Sequence, residues 1–226
     1  QVAQGAIAVD TRNASELYKE MQDLSGLDNP NSPAQLKAWL STQLGRDITT
    51  IGKDVLADLS KEAGHGSVAS KIIKLRAKAA KTSIKKYKAM LACLCLDGRA
   101  HGLFQFYGAN RTGRWAGRLI QLQNLPQNKI GLLRGWDEFD FIREMVKAND
   151  FEGLSLIYDD LGSLLSQLVR TAFIPEEGNT FGVADFSAIE ARVIAWLASE
   201  QWRLDVFDSH GMIYEASASK MFSVPL

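Results

Sequence analysis

Leu36, Trp39, Leu40 and Leu44 fall three or four residues apart, the spacing that turns one face of a helix toward a core. Ser32 and Pro33 precede them as a capping side chain and a first-turn proline, so this helix has a defined start. Ahead of it, the segment up to about Leu24 is predicted helical and runs into the loop at Gly26–Pro33. A short helix is predicted from about Gly52 to Ala63, ended by Gly64 and Gly66. From Ser67 a long helix is predicted to reach roughly Leu94, with Val68, Ile72, Leu75 and Ala79 on one side. Lys71, Lys74, Lys78, Lys81, Lys85 and Lys88 recur on its other side.

After the turn signal Asp97-Gly98 the texture changes. Leu103, Phe104, Phe106 and Tyr107 read as a strand, interrupted by Gly108, Asn110, Gly113 and Gly117. Residues 119–126 read as an extended, amide-rich segment, and an acidic, helix-prone block follows from about Glu138 to Arg170. Farther on, Phe181, Val183 and Asp185 alternate with Gly182, Ala184 and Phe186, the period of a strand ending on a carboxylate. Ser187 and Glu190 have the capping-box spacing, and Ile189, Val193, Trp196 and Leu197 give the next helix its apolar face. A last helix spans about Ile213 to Met221. The pattern predicts an α+β, mostly helical protein: a helical region over 1–97, then 98–226 with a small antiparallel sheet.

Composition adds bounds. The 226 residues suit one large domain or two small ones, and no apolar run or leader pattern suggests a membrane segment. A first residue of Gln1 rather than methionine points to a processed or excised piece. Cys93 and Cys95 lie in an apolar run and read as buried free thiols, which suits a reducing cytoplasm. The zero net charge hides a separation. Ala63 to Trp136 holds 14 basic residues and one acid, Asp97, for a net of +13. Asp137 to Asp160 holds eight acids against Arg143 and Lys147. A middle third this basic predicts a polyanionic partner.

Three elements carry candidate chemistry. Asp185, at the mouth of the strand, is either a capping residue or an oxygen ligand for magnesium. Arg114 and Arg118 in a glycine-rich turn can take phosphates, while Gln121, Gln123 and Asn124 can reach sugars or base edges in a minor groove. The same turn can equally be a tight hairpin with solvated side chains. Lys71, Lys74, Lys78, Lys81 and Lys85 are suited to tracking a nucleic-acid backbone, or form a solvated helix face. Tyr158-Asp159-Asp160 reads as a solvated face, and His65, His101 and His210 show no metal-ligand spacing.

Together these elements resemble the A-family DNA polymerases. That family's first palm motif runs roughly D-Y-S-Q-I-E-L-R, and Asp185 to Arg192 reads D-F-S-A-I-E-A-R. Its T-G-R and N-L-Q-N-I-P segments are similar to Thr112-Gly113-Arg114 and Gln121 to Pro126 at the same spacing, and Arg170 to Pro175 resembles its R-x-A-F segment. The resemblance implies a thumb-like region over 1–97 and a partial palm over 98–226, with a helical insertion at about 129–169 and the start of the fingers. It implies that Asp185 ligates catalytic Mg²⁺ in a two-metal site, with the Phe186 carbonyl contributing. Glu190 would exclude a 2′-hydroxyl from the incoming dNTP, and Arg192 would support the site. Arg114, Arg118, Gln121, Gln123 and Asn124 would hold primer-template DNA.

The chain also departs from the family. Gln121 stands for the usual Asn, and Tyr214 stands where a histidine near the nucleotide phosphates is common. The longer block from Lys129 to Val169 looks phage-like. The fingers helix, the second metal-binding palm motif and a proofreading domain are not found. The resemblance therefore implies a polymerase fragment, inactive alone, of a phage or infected bacterial cell. The other reading is a non-catalytic DNA-binding module, or one subunit of a split polymerase completed by a second chain.

Overall fold

The structure, a computed structural model, describes residues 1–80, 84–126 and 136–225. The chain divides into two compact units, Gln1–Ile174 and Pro175–Leu226. The fold is α+β and mostly helical.

The first unit is built on α1 (Val2–Ser25), whose last turn is closed by Gly26 in the left-handed conformation. Helix α2 (Pro33–Leu44) starts as its sequence dictates, with the Ser32 hydroxyl accepting from the Gln35 N–H. Helices α3 (Lys53–Glu62) and α4 (Val68–Ala79) follow, the second capped by Ser67. Leu36, Leu40, Ile48, Leu59, Ile72 and Ile73 from this stretch form one buried cluster. Leu17 and Met21 of α1 meet Leu75 of α4 in a smaller one. The helix expected to run unbroken to Leu94 ends instead at Ala79. Ala80 closes α4 through bonds to the Arg76 and Lys78 carbonyls, and α5 (Ile84–Ala92) is a separate element.

The acidic block forms α6 (Trp136–Lys147), α7 (Phe151–Ile157) and α8 (Leu161–Leu168), and a 3₁₀ turn follows at Val169–Ala172. Their apolar faces close over Val2, Ala6 and Val9 of α1 and over Tyr87 and Met90 of α5. Helix α1 thus carries two cores, one near each end. Tyr158-Asp159-Asp160 is a helix junction, with Asp159 exposed as expected and Tyr158 and Asp160 half-buried. The Tyr158 hydroxyl donates to Glu138 at 2.9 Å, Asp159 offers its carbonyl to Lys78, and Asp160 caps α8. Burial, with the Glu138 hydrogen bond second, pushes the Tyr158 phenol up to about 12.

Tyr87 is fully buried, and its hydroxyl donates to the Leu165 carbonyl at 2.6 Å. Burial holds this phenol well above its ordinary value. The folded state keeps the proton, so its stability should fall as pH rises past about 10, where the unfolded chain ionises. Tyr87→Phe should lose about 1–2 kcal/mol at neutral pH through the orphaned carbonyl. It should also flatten this alkaline limb, which urea midpoints measured across pH will show.

Strands β1 (Phe104–Ala109) and β2 (Arg114–Gly117) pair antiparallel, the only sheet among the described residues. Phe104 faces Gly117 and Ala109 faces Arg114, with a bulge between Gln105 and Ala109. Segment 119–126 is not extended as expected. Leu119 and Gln121 take positive φ, and Leu122–Asn124 forms a 3₁₀ turn that buries Ile120 and Leu125 in the core.

The second unit contains α9 (Ile189–Leu197), α10 (Gln201–Asp208) and α11 (Ile213–Phe222), with Ala195, Phe207, Ile213 and Ala216 buried. The expected strand through Val183 is absent, because no described segment pairs with it and Phe181 and Val183 are exposed. The expected N-cap, Ser187, is displaced by one residue. Helix α9 is capped by Ala188 in the left-handed conformation, with no side-chain bond. No described helix is long and apolar enough to cross a membrane.

Candidate nucleic-acid interface

In the first unit, the turn of the hairpin is closed by the Thr112 and Gly113 N–H groups, which both donate to the Ala109 carbonyl. Gly113 has a φ of +67° and lies under the Tyr107 ring, so a side chain there would be strained and would collide. Arg114 follows directly and is exposed at the head of β2. Arg118 extends the ladder by donating its N–H to the Leu103 carbonyl, and its guanidinium donates to Gln105 Oε1. The hairpin also exposes Phe106 and Trp115, 72% and 62% accessible, packed edge to face at 5.2 Å. The sequence pattern places Phe106 in a strand only and assigns Trp115 no role. Their signal was that Phe106 and Trp115 flank the arginine turn.

The amide turn is held beside this hairpin by groups from three directions. The Gln123 carboxamide lies against Gly117, in the space that a Cβ there would need. Asn124 Nδ2 donates to Gln121 Oε1 at 3.3 Å, so these two amides order each other. Lys86 Nζ donates to the Ile120 carbonyl at 3.2 Å. Arg170 spans the other end, its Nε donating to the Pro126 carbonyl at 2.8 Å and its terminal NH₂ to Leu125 at 3.0 Å. The structure thus brings Arg118, Gln121, Gln123 and Asn124 together on exposed backbone, over a buried Ile120 and Leu125. Arg170 belonged to a recognised segment, but nothing in the sequence says that its guanidinium reaches back 45 residues.

The basic helix is less uniform than its sequence. Lys71, Lys74 and Lys85 are exposed. Lys78 is half-buried and donates to the Asp159 carbonyl at 2.7 Å, so it anchors α4 to the start of α8. Lys81 lies outside the described residues.

In the second unit, Asp185 and Phe186 are exposed on the loop before α9, and Glu190 sits in that helix's first turn, where its charge suits the helix dipole. Among the described residues Arg192 pairs with no acid. It donates to the Ser187 carbonyl at 3.0 Å and lies 4.3 Å over the Phe207 ring, fixing the Asp185 loop to α9 and α10. Tyr214 is 83% exposed in the first turn of α11. Among the described residues Asp185 joins no cluster of three or more metal-ligating side chains. Its carboxylate and the Phe186 carbonyl are hard oxygen donors of the kind Mg²⁺ takes, but they fall short of a two-metal donor set.

The profile of DNA polymerase family A matches residues 8–226. A DNA polymerase of Bacillus phage SP02 is 54% identical over 98% of this chain, which spans 33% of that protein's length. DNA polymerase I of Lactococcus lactis subsp. cremoris is 25% identical over 96% of the chain, or 21% of its own length. The thermostable DNA polymerase I of Thermus aquaticus is 43% identical over 27% of the chain and 7% of its own length. No solved structure matches. The phage protein's likeness over nearly the whole chain agrees with the phage-like character of the block after Lys129. With the arginine turn, the amide turn and the Asp185 segment all inside the matched span, the chain belongs to DNA polymerase family A.

Proposed function

We propose that this chain is the part of a DNA-directed DNA polymerase that grips primer-template DNA and supplies one of the carboxylates of its metal site. Residues 1–97 serve as the thumb. Residues 98–226 serve as the first part of the palm, with a helical insertion at about 129–169 and the start of the fingers. The observation that supports this reading best is the hairpin bearing Arg114 and Arg118 beside an amide turn that Arg170 and Lys86 hold in place. Arginine there takes phosphate oxygens, and Gln121, Gln123 and Asn124 reach sugars and base edges in the minor groove. Lys71, Lys74 and Lys85 add backbone contacts.

In this reading Asp185 and the Phe186 carbonyl hold Mg²⁺, which when bound neutralises charge on the nucleotide phosphates. Glu190 limits space at the sugar of an incoming dNTP, Tyr214 lies near its phosphates, and Arg192 positions the loop. The work takes place in the cytoplasm of a phage-infected bacterium. The charge separation also supports a second reading, a DNA-binding module or a split-polymerase subunit completed by another chain.

A single assay separates these readings from a chain that does not bind DNA. Fluorescence anisotropy on a primer-template duplex should show log K falling with log[salt] at a slope near about −5, as for about six neutralised phosphates. Arg114→Ala should weaken binding about tenfold. The same mixture given Mg²⁺ and dNTPs should show no extension. A flat salt response would remove both readings, and extension would remove the inactivity.

A further inference from the structure

We infer that Cys95, Asp97 and His101 form a binding site for one Zn²⁺ ion at the root of the β1–β2 hairpin. One ligand atom from each side chain lies within 4.8 Å of the other two. His101 Nε2 stands 2.8 Å from Asp97 Oδ2. The other carboxylate oxygen, Oδ1, is already engaged by the Arg99 N–H at 3.0 Å, which fixes the carboxylate with Oδ2 toward the imidazole. The backbone that carries the three residues is closed on itself. The Cys95 N–H donates to the Arg99 carbonyl at 2.8 Å, the Gly98 N–H donates to the Cys95 carbonyl at 2.9 Å, and Leu94 bridges Ala100. An ion therefore needs little further ordering of the chain to gain three ligands.

The donor set decides the metal. One thiolate, one imidazole and one carboxylate suit a borderline-soft ion, whereas Mg²⁺ and Ca²⁺ take oxygen shells. Zn²⁺ accepts all three donor types in a tetrahedron, and three protein ligands leave a fourth position for water. All three side chains are exposed, His101 and Asp97 at 59% and 50%, so the ion reaches them without opening the fold. Binding displaces the thiol proton to solvent and replaces the His101–Asp97 contact with two bonds to one metal. Cys95 is exposed rather than buried as expected, and the turn brings its thiol to His101, whose spacing from other histidines gives no ligand pattern. The bound ion would tie the end of α5 to the start of β1, bracing the hairpin that carries Arg114.

The test uses the full 226-residue chain, reduced with a phosphine and titrated with Co²⁺ and then Zn²⁺. The expected result is one Co²⁺ per chain, with a thiolate-to-metal charge-transfer band and ligand-field bands of tetrahedral strength, all bleached by Zn²⁺ and unchanged by excess Mg²⁺. Cys95→Ser should abolish the charge-transfer band. Asp97→Asn and His101→Gln should each weaken binding by at least about tenfold, the loss that even outer partners of a ligand cause, and Cys93→Ser should leave it unchanged. Far-UV circular dichroism checks each fold, and Asp97→Asn and His101→Gln carry the test if Cys95→Ser fails to fold. Absence of the thiolate band overturns the site. So does unchanged affinity in both Asp97→Asn and His101→Gln, or a titration that never saturates at one equivalent, which marks an adventitious ion only.

Discussion

Gly5→Ala should destabilise the Gln1–Ile174 unit by about 3 kcal/mol, although alanine is the better helix former by about 1 kcal/mol. Gly5 lies inside α1, where glycine has no conformational purpose. Its role is steric. A Cβ at this position would fall onto the Val146 carbonyl oxygen, 2.7 Å from the carbonyl carbon and 3.3 Å from the Lys147 Cα. These are backbone atoms in the last turn of α6, and the Val146 side chain is fully buried, so α6 cannot retreat without opening the core. For a unit of this size the expected fall in Tm is roughly 6–12 °C. The opposing signs make the test decisive. Thermal or urea unfolding that finds Gly5→Ala more stable would mean that α1 and α6 do not cross this closely.

Arg170→Ala should weaken duplex binding about tenfold and cost about 2 kcal/mol of stability, because it removes the clasp of the amide turn. The guanidinium satisfies two carbonyls at once, those of Leu125 and Pro126. The three amides proposed to face DNA lie immediately before them at 121, 123 and 124. Lysine has a single ammonium without the planar fork, so Arg170→Lys should recover part of the stability and less of the affinity. Anisotropy and urea midpoints on the same variants separate the two effects. Lost stability with unchanged affinity would detach the amide turn from DNA recognition.

What the sequence made legible were features that act locally. Ser32-Pro33 and Ser67 start helices by capping their own first turns, and Gly26 stops one through its own backbone, so position alone predicts them. The hairpin could be read because glycine and alternation act within a dozen residues. The order of the motifs carried the family. What failed required a partner. The alternation through Phe181, Val183 and Asp185 has strand period but no described neighbour to bond, and Ala188 takes the N-cap position expected of Ser187. The 119–126 segment was expected to be extended. Yet Ile120 and Leu125 turn into the core while Arg170 and Lys86 hold the carbonyls at their ends, and nothing in those eight residues announces this. Arg192, the Cys95–Asp97–His101 turn and Lys78 are similar, since each role depends on a group that only folding brings near.

The two cores along α1 also set an order on the growing chain. The cluster at Leu17 and Met21 can close as soon as Leu75 of α4 has left the ribosome. The stripe at Val2, Ala6 and Val9 must wait for Leu165, Leu168 and Val169, which follow more than 150 residues later. At ordinary translation speeds that wait is on the order of ten seconds. Throughout it the basic middle third emerges ahead of the acidic helices that follow it, beside a ribosome that is itself a polyanion. Non-specific RNA contact and misdocking of α1 are therefore open to the nascent chain until α8 has been made.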